Sequence, residues 1–473
     1  MEDFKKIESF VRKEVRDNVI PAVSEFIKIP NTSRAYDPEN SSNGLQQKAC
    51  NFCIDWVKKQ GIKGLNIELV EREGKTPLVF AEIDGSTPES PTVLMYGHID
   101  KQPHLTEFWE EGLHPTKPVI KNGKLYGRGG ADDGYAIFAS TLLVKALQQN
   151  DISHPRVVLF FETDEESGSR DIPYYLDLFQ DKIGVPQLIV CLDSGGVNYD
   201  NFCMTSTLRG NLVGFLKVRT IKEGVHSGKA SGIVPDTFRI IRQLLSRVED
   251  AKTGEVAEEF HCNIPKDKYQ QICDLVQNVD SKVFLEEFPW LEGVQPVTQD
   301  PLRAIINKTW KPQLTVTGVG GIPDYKSAGN VTRPETILKI SMRAPPTADA
   351  KAFNLRLKEI FERDPPYGAH VEYEIDRSSP GWCSPPIDPR LGRIIDSAAQ
   401  TGFGTSPLFN GVGGSIPFMS ILSQKFPESA FIITGVLGPL SNAHGPNESL
   451  DLQFLENMMV TMTKLLGDFQ NVE

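Results

Sequence analysis

The sequence predicts an α/β unit with a mainly parallel sheet core, interrupted by an inserted α+β unit. Three observations carry that expectation. A chain of 473 residues is too long for one hydrophobic core. Its first 200 residues alternate helical periodicity with short apolar runs, the pattern of a layered α/β fold. That style breaks near residue 210 and resumes near 385. In order, two N-terminal amphipathic stretches precede the strand-like runs PLVFAEI (77–83) and TVLMYGHI (92–99). A glycine-rich turn leads into DGYAIFASTLLVKALQQN (133–150), whose apolar spacing fits a helix. RVVLFFET (156–163) and QLIVCLDS (187–194) read as buried strands. Then NLVGFLKVRT (211–220) alternates as a half-buried strand does, and PDTFRIIRQLLSRV (235–248) is amphipathic. After a less regular stretch, ETILKISMRA (335–344) and AHVEYEI (369–375) flank the helical DAKAFNLRLKEIFER (349–363). From DPRLGRIIDSAAQ (388–400) the α/β style returns, with AFIITGV (430–436) as a strand and a last helix over 450–469. The parse is 1–210 with 385–473 as one discontinuous domain and 211–384 as the insertion.

Composition excludes several function classes. Fifty basic residues stand against 62 acidic ones, a net charge of −12, so neither nucleic acid nor an anionic membrane is expected as a partner. No apolar run reaches the roughly 18 residues of a membrane span, and the charged N-terminus lacks the apolar region of a signal peptide. Seven scattered cysteines make a poor disulfide framework, and a reducing, cytoplasmic compartment is expected. Cys50 and Cys53 form a C-x-x-C, but they lie on a helical pattern with no second pair to complete a ligand set, and read as packing residues.

The chemistry gathers where the predicted strands end. TVLMYGHID places His98 and Asp100 two apart, on one face of a strand end. LYGRGGADDG supplies Asp132 and Asp133, FFETDEESGS supplies Glu165 and Glu166, CLDSGG supplies Asp193, and SNAHGPNES supplies His444. Open α/β sheets bind ligands at the carboxyl ends of their strands. Imidazole and carboxylate without thiolate suit Zn²⁺ or Mn²⁺, and adjacent acids at 165 and 166 could divide ligation from proton transfer. GRGGADDG lacks the Lys-Ser/Thr of a phosphate-binding loop, and Asp132 occupies the third glycine position of a dinucleotide fingerprint.

In this order, YGHID, GRGGADDG, ETDEESGS, LDSGG, HSG and NAHGPNES resemble the aminoacylase/carboxypeptidase G/carnosinase family of co-catalytic zinc peptidases, nearest the cytosolic non-specific dipeptidase (carnosinase-like) branch. The resemblance spans nearly the whole chain. It implies two divalent metal ions per subunit, with His98 and Asp193 on one, Glu166 and His444 on the other, and Asp132 bridging. Asp100 would orient His98, and Glu165 would act as general base and then acid toward a metal-bridging water. A cis peptide between Asp132 and Asp133 is implied as well. The inserted domain would serve as lid and homodimer interface, sending His226 into the partner's site to stabilise the oxyanion. Arg343 would bind the substrate carboxylate, with Ser415 (in GGSIP) and Asn330 as further substrate contacts. Asp193, rather than glutamate, leans toward dipeptides or very short peptides as substrates.

Three positions depart from that branch. Lys101 follows Asp100 where an apolar residue is usual, and its ammonium is expected to face solvent or an acidic partner. Val412 stands where an acid precedes the Gly-Gly, and SSPGWCSPP lacks a histidine. The alternatives are an N-acyl-amino-acid deacylase or short-peptide carboxypeptidase on the same scaffold and, more remotely, a non-catalytic scaffold.

Overall fold

A computed structural model describes residues 2–285 and 288–470. Six strands form the central sheet, in the order Leu65–Val70, Leu78–Ile83, Arg156–Glu162, Thr92–His98, Leu188–Cys191 and Ala430–Ile433. The last four run parallel, and the first two add an antiparallel edge. Thr92–His98 is apolar on both faces because both are covered. Val93 and Met95 join one core with the helices Tyr135–Gln149 and Leu452–Phe469. Leu94 and Tyr96 join the other, where the Tyr96 and Phe418 rings lie 3.7 Å apart. The three layers place the carboxyl ends of the parallel strands along one rim.

The inserted residues form an antiparallel sheet in the order Gln313–Gly320, Glu335–Ala344, Gly210–Arg219, His370–Ser379. Along Glu335–Ala344, Leu338, Ile340 and Met342 are buried against the helices Thr237–Leu245 and Ala350–Glu362. Their alternating neighbours Ile337, Lys339, Ser341 and Arg343 face the uncovered side. Two passages join this sheet to the α/β unit. Cys203–Leu208 runs into Gly210–Arg219, and His370–Ser379 returns into Trp382–Cys383. They lie side by side, with Ser379 opposite Asn211 and Trp382 opposite Leu208.

Several elements differ from the sequence reading, among them the unread edge strand Leu65–Val70. The stretch before 335 contains the helices Lys266–Asn278 and Pro301–Thr309 and the edge strand Gln313–Gly320. That strand, QLTVTGVG, is largely exposed and so shows no buried-face alternation. Leu408–Val412 is a strand parallel to Cys203–Leu208. The helix read from 133 begins at Tyr135, because Asp132 and Asp133 have non-helical dihedrals and are joined by a cis peptide. Cys50 and Cys53 are fully buried on the helix Leu45–Lys59, and burial pushes both thiols up. They pack as small apolar groups. Among the described residues, no helix is long and apolar enough to cross a membrane.

Candidate functional site

Four segments deliver charged side chains to the rim. Thr92–His98 ends in His98, and the strands Arg156–Glu162 and Leu188–Cys191 run out into Glu165, Glu166 and Asp193. The glycine-rich turn brings Asp132 between them. His98 Nε2 lies 3.2 Å from Asp132 Oδ1 and 3.7 Å from Asp193 Oδ1. His444 Nε2 lies 3.1 Å from Asp132 Oδ2 and 3.5 Å from Glu166 Oε2. The two oxygens of Asp132 thus address two histidines from opposite sides. Ligand atoms of His98, Asp132 and Glu166 fall within 4.8 Å of one another, as do those of His98, Glu165 and Asp193.

The surroundings hold these groups in place. His98 Nδ1 donates to the Asp100 carbonyl at 3.0 Å, leaving Nε2 free to ligate. The Asp100 carboxylate is 3.4 Å from that nitrogen. It also accepts the backbone N–H groups of Glu165 at 3.2 Å and Glu166 at 3.1 Å, tying the two acids to the same strand end. The Gln102 amide donates to Glu166 Oε2.

The electrostatics suit cations. Burial and then Asp193 push Glu165 well above the usual carboxylate range, and burial and then Asp132 push Glu166 up to about 11. Burial raises Asp193 too. For Asp132, burial is outweighed by the hydrogen bonds from His444 and His98, and its carboxyl is held low. Glu166 Oε1 is buried with no hydrogen-bond partner. An oxygen left unpaired beside three other acids and two imidazoles is what a divalent-metal donor set looks like without its ions. The residues fit divalent-metal binding.

Glu448, not singled out in the sequence reading, anchors the turn. Its fully buried carboxylate accepts the N–H groups of Gly129, Ala131 and Asp132 at 2.8–3.1 Å and pairs with Arg128 at 2.8 Å. The only signal was its place two residues after the NAHGP run. Lys101 corrects an expectation. It is wholly buried rather than facing solvent, and its direct partners are carbonyls, with Glu448 near enough to act on its charge; Nζ donates to the carbonyls of Ile29 at 2.7 Å, Phe26 at 2.9 Å and Ile27 at 3.5 Å. The helix Ile20–Ile27 ends there; the Phe26 carbonyl already accepts the Ile29 N–H at 3.0 Å, and the ammonium supplies donors to the Ile27 and Ile29 carbonyls as well. Gly129 makes room, since a Cβ would meet the Lys101 side chain at 2.5 Å, and its φ is +75°.

A cleft of about 930 Å³ opens beside the acidic cluster. Asp132, Glu165, Glu166, Asp193 and His444 line it together with Asn211, Arg343, Arg377 and Ser379 from the inserted sheet and its junction, and with Val412 and Ser415. Arg343 and Ser415 therefore reach the cluster's cleft. His226 and Asn330 do not. They sit together on the insertion, where the N–H following His226 bonds to the Asn330 carbonyl at 2.9 Å, and His226 is exposed.

Comparison with known proteins agrees with this architecture. The chain is 26% identical over 386 residues to a cysteinylglycine-S-conjugate dipeptidase of Corynebacterium striatum, covering 80% of this chain and 81% of that one. It is 25% identical over 458 residues to the human beta-Ala-His dipeptidase, covering 92% and 87%. Its fold matches an M20 metallo-carboxypeptidase of Sulfolobus solfataricus at a TM-score of 0.79 and 19% identity, over 96% of this chain and all of that one. It also matches human carnosine dipeptidase 1 at 0.78 and 18% identity, over 99% of each. Residues 94–468 match the model of peptidase family M20/M25/M40, and the chain belongs to that family of hydrolases.

Proposed function

We propose that this protein is a metal-dependent dipeptidase, cutting the peptide bond of dipeptides or very short peptides. The observation that carries the reading is the pair of donor groups that share His98, beside a cleft that Arg343 also lines. His98 and Asp193 would hold one ion, Glu166 and His444 the other, and Asp132 both. Two divalent ions so held, Zn²⁺ or Mn²⁺, would lower the pKa of a bridging water and polarise the scissile carbonyl.

This chain's residues do the rest. Arg343 takes the substrate carboxylate, a task suited to the guanidinium fork, with Ser415 as a further donor. Glu165, next to Glu166 and Asp193 in the cluster, would as the carboxylate accept a proton from the attacking water and pass it to the leaving amine. His226 lies outside its own chain's cleft and would stabilise the carbonyl oxyanion of a second copy, with Asn330 beside it, so a homodimer is part of the reading. Residues 1–210 and 385–473 then form the hydrolytic domain, and 211–384 the lid and dimer interface. Seven free cysteines favour a reducing, cytoplasmic setting.

The test is Glu165→Gln in metal-loaded protein. Turnover should fall by about 10²–10⁴-fold while two ions per chain are still bound. Full activity in that variant would refute the mechanism.

A further inference from the structure

The inserted sheet brings a second guanidinium, Arg377, to the cleft beside Arg343, and the backbone is built to present it there. In the strand His370–Ser379, Tyr373 stands opposite Leu216 and Ile375 opposite Gly214, on the face packed against the helices. The Tyr373 ring occupies the space a Cβ of Gly214 would need. Continued without interruption, the twofold period would set residue 377 opposite Leu212, in that same buried core. A β-bulge intervenes between Ile375 and Arg377. Its extra residue, Asp376, puts Arg377 opposite Val213 instead, on the cleft face shared by Asn211, Arg343 and Ser379.

The bulge is fastened from below. Asn354, fully buried on the helix Ala350–Glu362, donates to the Arg377 carbonyl at 3.0 Å and to Ser378 Oγ at 2.9 Å. It also accepts the Tyr373 hydroxyl at 3.0 Å. A buried amide spent on an irregular backbone marks a deliberate redirection of the side chain that follows.

Arg377 lies near enough to Arg343 that, after burial, its charge is what lowers the Arg343 pKa. Among the described residues neither guanidinium has a carboxylate partner. The carboxylates lining the cleft are Asp132, Glu165, Glu166 and Asp193, all within the metal cluster. Two unneutralised guanidiniums on one wall call for a ligand with two negative groups.

We propose that Arg377 is a specificity residue that selects substrates whose C-terminal residue has an acidic side chain, aspartate or glutamate. This rests on the reading of Arg343 as the α-carboxylate site; Arg377, on the same face, then meets the side chain of that residue.

The experiment compares kcat/KM for Ala-Glu and Ala-Asp with Ala-Gln and Ala-Ala in metal-loaded wild type, Arg377→Gln and Arg377→Lys. Wild type should favour the acidic pair by about tenfold or more, Arg377→Gln should lose that ratio, and Arg377→Lys should keep part of it. Equal rates in wild type, or a ratio untouched in Arg377→Gln, would overturn the proposal. Calorimetry with glutamate against glutamine needs no turnover and separates the two readings. Tighter glutamate binding lost in Arg377→Gln, without cleavage of any dipeptide, would keep the acidic site and reject the peptidase reading. Equal binding of the two would reject the acidic site.

Discussion

At the scale of single residues, Lys101 illustrates how chain termini of helices shape a metal-site neighbourhood. Its ammonium ends the helix Ile20–Ile27 from inside the core, with the Phe26 ring 4.1 Å away. Burial pulls its pKa down to about 7, against the pull of Glu448. Lys101→Met would keep the volume and leave the Ile27 and Ile29 carbonyls without donors, the Phe26 carbonyl keeping the Ile29 N–H. It should cost about 2–4 kcal/mol, read as a lower midpoint in urea unfolding at unchanged slope. An unchanged midpoint would mean that water replaces the ammonium. The sequence marked position 101 as unusual but gave the wrong surroundings. A lysine's partners here are backbone carbonyls some 70 residues earlier, and a carbonyl leaves no mark in the amino-acid string. His98, Glu165, Glu166 and Asp193 were legible because each lies at or just past the end of an apolar run that announces a buried strand, while Asp132 and His444 stood out through the GRGGADDG and NAHGPNES motifs. Arg377 was not: a one-residue bulge decides which face it occupies, and periodicity cannot foresee the extra residue.

At the scale of elements, the glycine-rich turn works because Glu448 gathers its N–H groups. Four hydrogen bonds, one from Arg128, converge on a carboxylate with no exposure. Glu448→Ala removes them together and leaves the buried Arg128 without its counter-charge. It should cost about 3–5 kcal/mol and weaken metal binding through Asp132. Thermal unfolding with metal titration checks both parts, and a loss of stability with unaltered metal affinity would show that the turn holds Asp132 unaided. Five of the six central strands were readable, since buried strands are continuous apolar runs; the half-exposed edge strand Leu65–Val70 was not read. The exposed edge strand Gln313–Gly320 was not, because Thr and Gly residues facing solvent carry no burial signal.

At the scale of the whole molecule, two side-by-side passages connect the α/β unit with the sheet that carries Arg343 and Arg377, while His226 lies on a separate two-stranded ribbon of the insertion, paired with Val331. The distance of His226 from its own chain's cleft makes a specific prediction about assembly. Glu165→Gln and His226→Ala, each nearly inactive alone, should complement when refolded together, since one site of each mixed dimer has both groups intact. Recovery should approach about a quarter of wild-type activity after random pairing of two-fold dimers. No recovery, with dimers present by sedimentation, would place His226 outside the reaction.

The central claim is hydrolysis of free dipeptides by a two-metal site, and the most direct measurement uses protein stripped of metal and resupplied with Zn²⁺ or Mn²⁺. Free dipeptides are assayed beside their N-acetylated counterparts. The account predicts no cleavage without metal, and cleavage of the free dipeptides when two equivalents are restored. Cleavage of the acetylated compounds alone would contradict it and make the enzyme a deacylase on the same scaffold.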